Sequence, residues 1–121
     1  MFSGRGKLLS IFIGESDQHD HEALYLALLE MLRREGCSGA TAIKGTAGYG
    51  ISSLIHTSTI PRLSLDQPIV IIAVDRPDRM DRLVGKVREL APKALVTLQD
   101  VDVLQSGASF EQGAGLKNES K

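Results

Sequence analysis

Pro68 is followed by Ile69-Val70-Ile71-Ile72-Ala73-Val74, six apolar residues with no polar break. Five of them are β-branched, which suits a pleated and packed surface. So short a run, bounded by proline and Asp75, reads as a strand in the middle of a sheet. Alternation puts Ile69, Ile71 and Ala73 on one face and Val70, Ile72 and Val74 on the other. Both faces of this strand therefore need cover, and the rest of the chain must supply it.

The other segments are weaker in pattern but consistent in order. Leu8 to Ile13 is β-rich and stops at Gly14, giving a first strand. Ser16 or Asp17 is placed to cap a helix with Asp20 and Glu22 in its first turn, favourable beside the positive helix end. Leu24, Leu28, Met31 and Leu32 give that helix its apolar stripe, and it is expected to run to about Glu35 and stop at Gly36. Ala40 to Ile43 reads as a second strand, and a polar, glycine-containing stretch follows from Lys44 to Gln67. After the central run, Pro77 sits at a favoured first-turn position. Met80, Leu83, Val84, Val87 and Leu90 then follow a helical period that Pro92 closes. Ala94 to Leu104 is the fourth strand, with Val101 and Val103 alternating against Asp100 and Asp102.

The order is βαββαβ. Right-handed crossovers turn it into an α+β ferredoxin-like sandwich, a four-stranded antiparallel sheet with two helices on one face. Strands one and two then run parallel with strand three between them. The end of strand one, the start of helix one, the long 44–67 loop and the Leu90–Ala94 turn fall at one end, where any site is expected. Two helices cover one face only, so the Val70, Ile72, Val74 face predicts an interface between copies. The competing reading folds the long loop over that face. The domain is expected over 7–104, with a flexible N-terminus over 1–6 and a disordered tail over 105–121.

Composition narrows the function. Fourteen basic residues against 15 acidic ones leave a net charge of −1, so no field draws nucleic acid or anionic lipid. The three Phe and two Tyr are too scattered for a base-stacking platform. Cys37 is the single cysteine, is expected as a small buried hydrophobe, and offers neither an internal disulfide nor a thiolate zinc site. The first seven residues lack the apolar stretch of a signal peptide, and no run approaches the roughly 20 apolar residues of a spanning helix. A cytoplasmic location is expected.

Lys44-Gly45-Thr46-Ala47-Gly48-Tyr49-Gly50 carries the strongest chemical signal. Its glycines permit positive φ and let backbone amides approach an anion closely. It fits neither phosphate-loop spacing, G-x-x-x-x-G-K-[ST] or G-x-G-x-x-G, and no helix follows it. Ligand binding and a bulged hairpin arm stand as equal readings of these residues. Glu15, Asp17, His19, Asp20 and His21 form a polar cluster. The two histidines, two positions apart, point in different directions at a helix start, so a solvated helix N-terminus is favoured over a metal site. His56 beside Thr57-Ser58-Thr59 is a general-base candidate without a placed carboxylate partner.

Taken together, Gly14-Glu15, Ser38-Gly39-Ala40-Thr41, Gly45 with Gly48-Tyr49-Gly50, His56, Leu65-Asp66-Gln67-Pro68 and Asp100-Val101 resemble one family. It is an uncharacterised bacterial and archaeal branch of the PII-like signalling proteins, known as a domain of unknown function. The similarity spans Lys7 to Leu104. It implies a homotrimer whose 44–67 loop reports to a partner, with adenine nucleotide as the candidate ligand at subunit clefts and no fixed cofactor. Genes of this branch often neighbour those of small fluoride-export channels, which implies a membrane transporter or channel as the regulated partner. The sequence departs from the nitrogen-regulatory pattern at Leu90-Ala91-Pro92-Lys93-Ala94, which has no glycine, and in a fourth strand without arginine. The usual grip on ATP is not expected from it.

The expected function is a non-enzymatic, ligand-sensing regulator, with Lys44, Gly45, Thr46, Gly48, Tyr49, Gly50 and His56 as ligand-binding residues. The alternative is an ion-handling trimer resembling the divalent-cation tolerance proteins. A third reading is a small cleft enzyme using His56 and Glu15.

Overall fold

The computed structural model describes residues 4–49 and 66–107. Strands β1 (Gly4–Gly14), β4 (Ala40–Lys44), β5 (Pro68–Asp75) and β6 (Leu95–Val103) form one antiparallel sheet in the order β4-β5-β1-β6. Helices α1 (Leu24–Arg34) and α2 (Pro77–Leu90) complete the βαββαβ order, and a two-stranded hairpin, β2 (Gln18–His19) with β3 (Glu22–Ala23), precedes α1. β5 lies between β1 and β4, as the ferredoxin-like topology requires.

The core forms where alternation directs it. Leu9, Ile11 and Ile13 of β1 and Ile69, Ile71 and Ala73 of β5 are buried with Leu24, Leu28, Met31 and Leu32 of α1 and Met80, Leu83 and Val87 of α2. The opposite face is only partly buried at Val70, Ile72 and Val74, and Ile43 and Leu95 are 46% and 50% exposed. Among the described residues nothing packs over this apolar face. The alternative cover, the 44–67 segment, lies mostly outside them.

α1 ends as its sequence directs. Gly36 takes the left-handed φ of 89° that glycine tolerates, its N–H donates to Arg33 O, and the Cys37 N–H donates to Leu32 O. These are the two bonds of a Schellman motif, and its apolar partners are the buried Leu32 and Cys37. Burial also raises the pKa of the Cys37 thiol. The stop thus explains the expected burial of the cysteine. α2 starts with proline in its first turn and closes at Ala91, before Pro92.

Two boundaries differ from expectation. β1 begins at Gly4, so the N-terminus expected to be flexible over 1–6 is strand from that residue on. The cause is pairing with β6, which sets Arg5 opposite Asp102 and Lys7 opposite Asp100, with Lys7 Nζ 2.6 Å from Asp100 Oδ1. α1 starts at Leu24 rather than near Asp17, has no side-chain cap, and carries no acid in its first turn. Asp20 and His21 instead turn the hairpin at φ 49° and 67°, which leaves Asp20 and Glu22 outside the helix. The tail expected from residue 105 lies mostly outside the described residues.

At the Cys37 end of the sheet, Asp75 is fully buried and accepts hydrogen bonds from the N–H groups of Ser38 and Arg76 and from Arg79 Nε. The Ser38 hydroxyl donates to Val74 O at 2.9 Å. Asp75→Ala would remove the acceptor of the Ser38 amide and the carboxylate that the largely buried Arg79 guanidinium pairs with. Removing one partner of a buried pair costs about 3–5 kcal/mol. Urea unfolding should show a loss of that order, and a loss below about 1 kcal/mol would mean that water replaces the carboxylate.

Candidate functional site

The C-terminal end of β1 gathers the chain segments that the topology brings together. A short turn, residues 14–17, leaves the strand between two neighbours. On the β5 side, the Glu15 N–H donates to Gln67 O at 2.8 Å and the Ser16 N–H to Asp66 Oδ1 at 2.8 Å. Lys44 Nζ lies 2.9 Å from Glu15 Oε2, and the Gly45 N–H donates to Pro68 O at 2.7 Å. Both stems of the long loop are therefore tied at one place.

Asp17 closes the turn from within. Its carboxylate accepts the Gly14 N–H at 2.9 Å and its carbonyl accepts the Leu24 N–H at 2.8 Å. Asp17 thus braces the strand exit as well as the first amide of α1. On the β6 side of the same turn lies a cavity of about 590 Å3 lined by Phe12, His19, Leu24, Leu90, Pro92 and Lys93 among others.

The described residues of the expected site lie on the loop side of the turn, and none of them lines the cavity. Lys44 ends β4 and is held by Glu15, Thr46 is exposed, and Tyr49 is 85% exposed. Gly50 and His56 lie outside the described residues. Gly45 and Gly48 do not take the positive φ that the sequence suggested. A Cβ on Gly45 would sit 2.8 Å from Pro68 Cγ, and one on Gly48 would sit 3.1 Å from the same atom. A side chain at Gly45 would force the proline ring to shift, and one at Gly48 would crowd it.

The polar cluster at 15–21 does not converge. Glu15 binds Lys44, Asp17 braces the turn, and His19 Nε2 faces Asp20 Oδ2 at 3.4 Å. Among the described residues no three His, Cys, Asp or Glu side chains are placed to hold a metal ion. The cluster is divided between the 14–17 turn and the hairpin rather than gathered at a helix start. Sequence reasoning missed the cavity walls at Phe12, Leu24 and Lys93. The signal available was positional, since all three lie at the end where the topology places a site.

The amino-acid pattern has clear relatives. The profile of DUF190, described as an uncharacterised ACR, matches residues 6–103. The chain belongs to the DUF190 family. It is 33% identical over 108 residues to a UPF0166 protein of Methanocaldococcus jannaschii, covering 88% of this chain and 98% of that protein. CPII from Thiomonas intermedia, a nitrogen regulatory PII-like protein, matches in its complex with ADP and bicarbonate at a TM-score of 0.60 and 22% identity, covering 86% of this chain and 93% of CPII. The divalent ion tolerance protein CutA1 from Ehrlichia chaffeensis matches at a TM-score of 0.54 and 11% identity, covering 88% and 89%. At such identities the structural likeness is one of fold, and the fold is PII-like. No helix among the described residues is long and apolar enough to cross a membrane.

Two tests address the loop stems. The Lys44 ammonium, hydrogen-bonded to Glu15, lowers the Glu15 carboxyl pKa, and the carboxylate raises that of Lys44. The Glu15 contribution is present above the unfolded pKa and fades as pH falls through the lowered folded value, while that of Lys44 fades as pH rises through its raised one. The pair is thus intact at neutral pH. Lys44→Met should move the Glu15 midpoint upward in an NMR titration, and an unmoved midpoint would show the pair is not formed in solution. Gly45→Ala should destabilise by about 1–3 kcal/mol through overpacking on Pro68, and Pro68→Ala in the same chain should recover much of that loss. Equal melting temperatures for Gly45→Ala and the parent protein would remove this role for the glycine.

Proposed function

We propose that the protein is a non-enzymatic PII-like regulator that binds a small anionic ligand at the exit of β1 and signals through residues 44–67. The observation that carries this reading is the tying of both loop stems to one short turn, by bonds from Glu15, Ser16 and Gly45 and by the Lys44–Glu15 pair. A ligand that competes for Lys44 releases one of those ties, so binding at this point changes what the loop presents. Lys44 is the cation, Gly45 holds the stem through its bond to Pro68 O, the backbone at Thr46, Gly48 and Gly50 supplies amides, Tyr49 is exposed for stacking, and His56 completes the set.

Adenine nucleotide is the ligand class favoured by analogy, since the PII-like protein CPII has been solved with ADP and bicarbonate. Catalysis is disfavoured by the residues at hand. Cys37 is buried at the far end of the sheet with a raised thiol pKa, a poor setting for a nucleophile.

The uncovered face around Val70, Ile72 and Val74 supports a homotrimer that buries it, with ligand clefts between subunits. A cytoplasmic protein of this kind would report to a membrane transporter or channel. Ion handling of the CutA1 type is the second reading and rests on the shared fold.

Native mass spectrometry with ADP, AMP, bicarbonate and Zn2+ as probes separates these readings. The expected result is a mass of three times 13.1 kDa with ADP or AMP bound and unhydrolysed, and with binding lost in Lys44→Ala. Bound zinc without nucleotide would favour ion handling. A monomer that retains no probe would overturn the proposal.

A further inference from the structure

We infer that the cavity on the β6 side of the β1 exit is an effector pocket for a compact organic acid, coupled to the 44–67 segment through the turn at 14–17. The pocket stands on its own observations, and only the coupling rests on the reading of that segment as the signalling element.

Size and lining come first. About 590 Å3 falls in the range of small-molecule sites, roughly 300–1,000 Å3. Its apolar walls are Leu24, Leu90 and Pro92, with Leu24 buried and Leu90 half-buried. Such a surface suits the flat body of a small aromatic or aliphatic molecule.

Charge at the mouth selects the acid. Asp17 already accepts the Gly14 N–H, and His19 faces Asp20. Lys93 lines the cavity and takes part in no ion pair or hydrogen bond among the described residues. A carboxylate lying beside Pro92 would gain a charge-assisted hydrogen bond there.

The wall formed by Gln18 and His19 is adjustable by construction. It belongs to a hairpin only two residue pairs long, turned by Asp20 and His21 with both in the left-handed region. So short a hairpin is marginal alone, and each left-handed residue without glycine adds strain. A ligand pressing on this wall moves it at little cost.

The turn at 14–17 offers the coupling route. Asp17 lines the cavity and holds Gly14 and Leu24, while Glu15 and Ser16, its immediate neighbours, hold Gln67 and Asp66. A shift of Asp17 therefore bears directly on the loop stems.

Two-dimensional amide NMR on the full chain in its native assembly tests both parts, with benzoate as the acid probe and benzyl alcohol as its neutral match. Benzoate should shift the amides of Gln18, His19, Lys93 and Ala94, and those of Glu15, Ser16 and Gln67 with the same midpoint. Lys93→Gln should weaken benzoate about tenfold, the scale of one charge-assisted hydrogen bond, and leave benzyl alcohol unchanged. Silence at Gln18 and Lys93 overturns the pocket. Equal affinity for the two probes overturns the preference for an acid. A response at Lys93 with none at Glu15 and Gln67 overturns the coupling. None of these outcomes depends on whether ADP binds, so failure here and failure of the nucleotide reading are separately visible.

Discussion

β1 is hydrogen-bonded on both sides, to β5 over Lys7–Gly14 and to β6 over Gly4–Phe12. That double pairing fixes the register of three strands at once. A slip of one residue would turn Leu9, Ile11 and Ile13 out of the core and expose them where Leu8, Ser10 and Phe12 now lie. Because β1 cannot slip, its exit at Gly14 is held in space, and the turn that follows is held with it. The loop stems on one side of that turn and the cavity on the other depend on this fixed point.

The two ends of the sheet use polar chemistry differently. At the Cys37 end a single buried carboxylate, Asp75, gathers Ser38, Arg76 and Arg79 in a dry setting. At the opposite end the Lys44–Glu15 pair stands in water, where it contributes little stability. One small sheet thus carries a buried polar cluster at one end and an exposed one at the other.

Much of the fold was legible where the sequence speaks locally. The β-branched run at 69–74 gave its strand to within one residue at each end, because five β-branched side chains suit little else. Pro77 and Pro92 bracketed α2, and Gly36 stopped α1 through a left-handed residue that its composition invites. The misses were non-local. Strand at Arg5 and Lys7 depends on Asp100 and Asp102, distant in the chain and brought alongside only by the fold. The acids at 17–22 favour turns as readily as helix starts, and nothing nearby chose between them. That the exit of β1, the loop stems and the Leu90–Ala94 turn share one end followed from topology alone. How Gly45 and Gly48 serve it did not, because the reason is the Pro68 ring, contacted across the loop.

The pairing of β1 with β6 also has a kinetic side. The contact between Lys7 and Asp100 closes 93 residues of chain, and it joins the earliest strand to the latest. Contacts of such sequence separation form slowly, since the chain must lose much of its freedom before they reward it. During synthesis β1 can gain its β5 neighbour well before β6 exists. Through that interval one side of the central strand offers an unpaired edge beside an apolar face. The protein must bring its last strand home quickly or be kept from its neighbours while it waits.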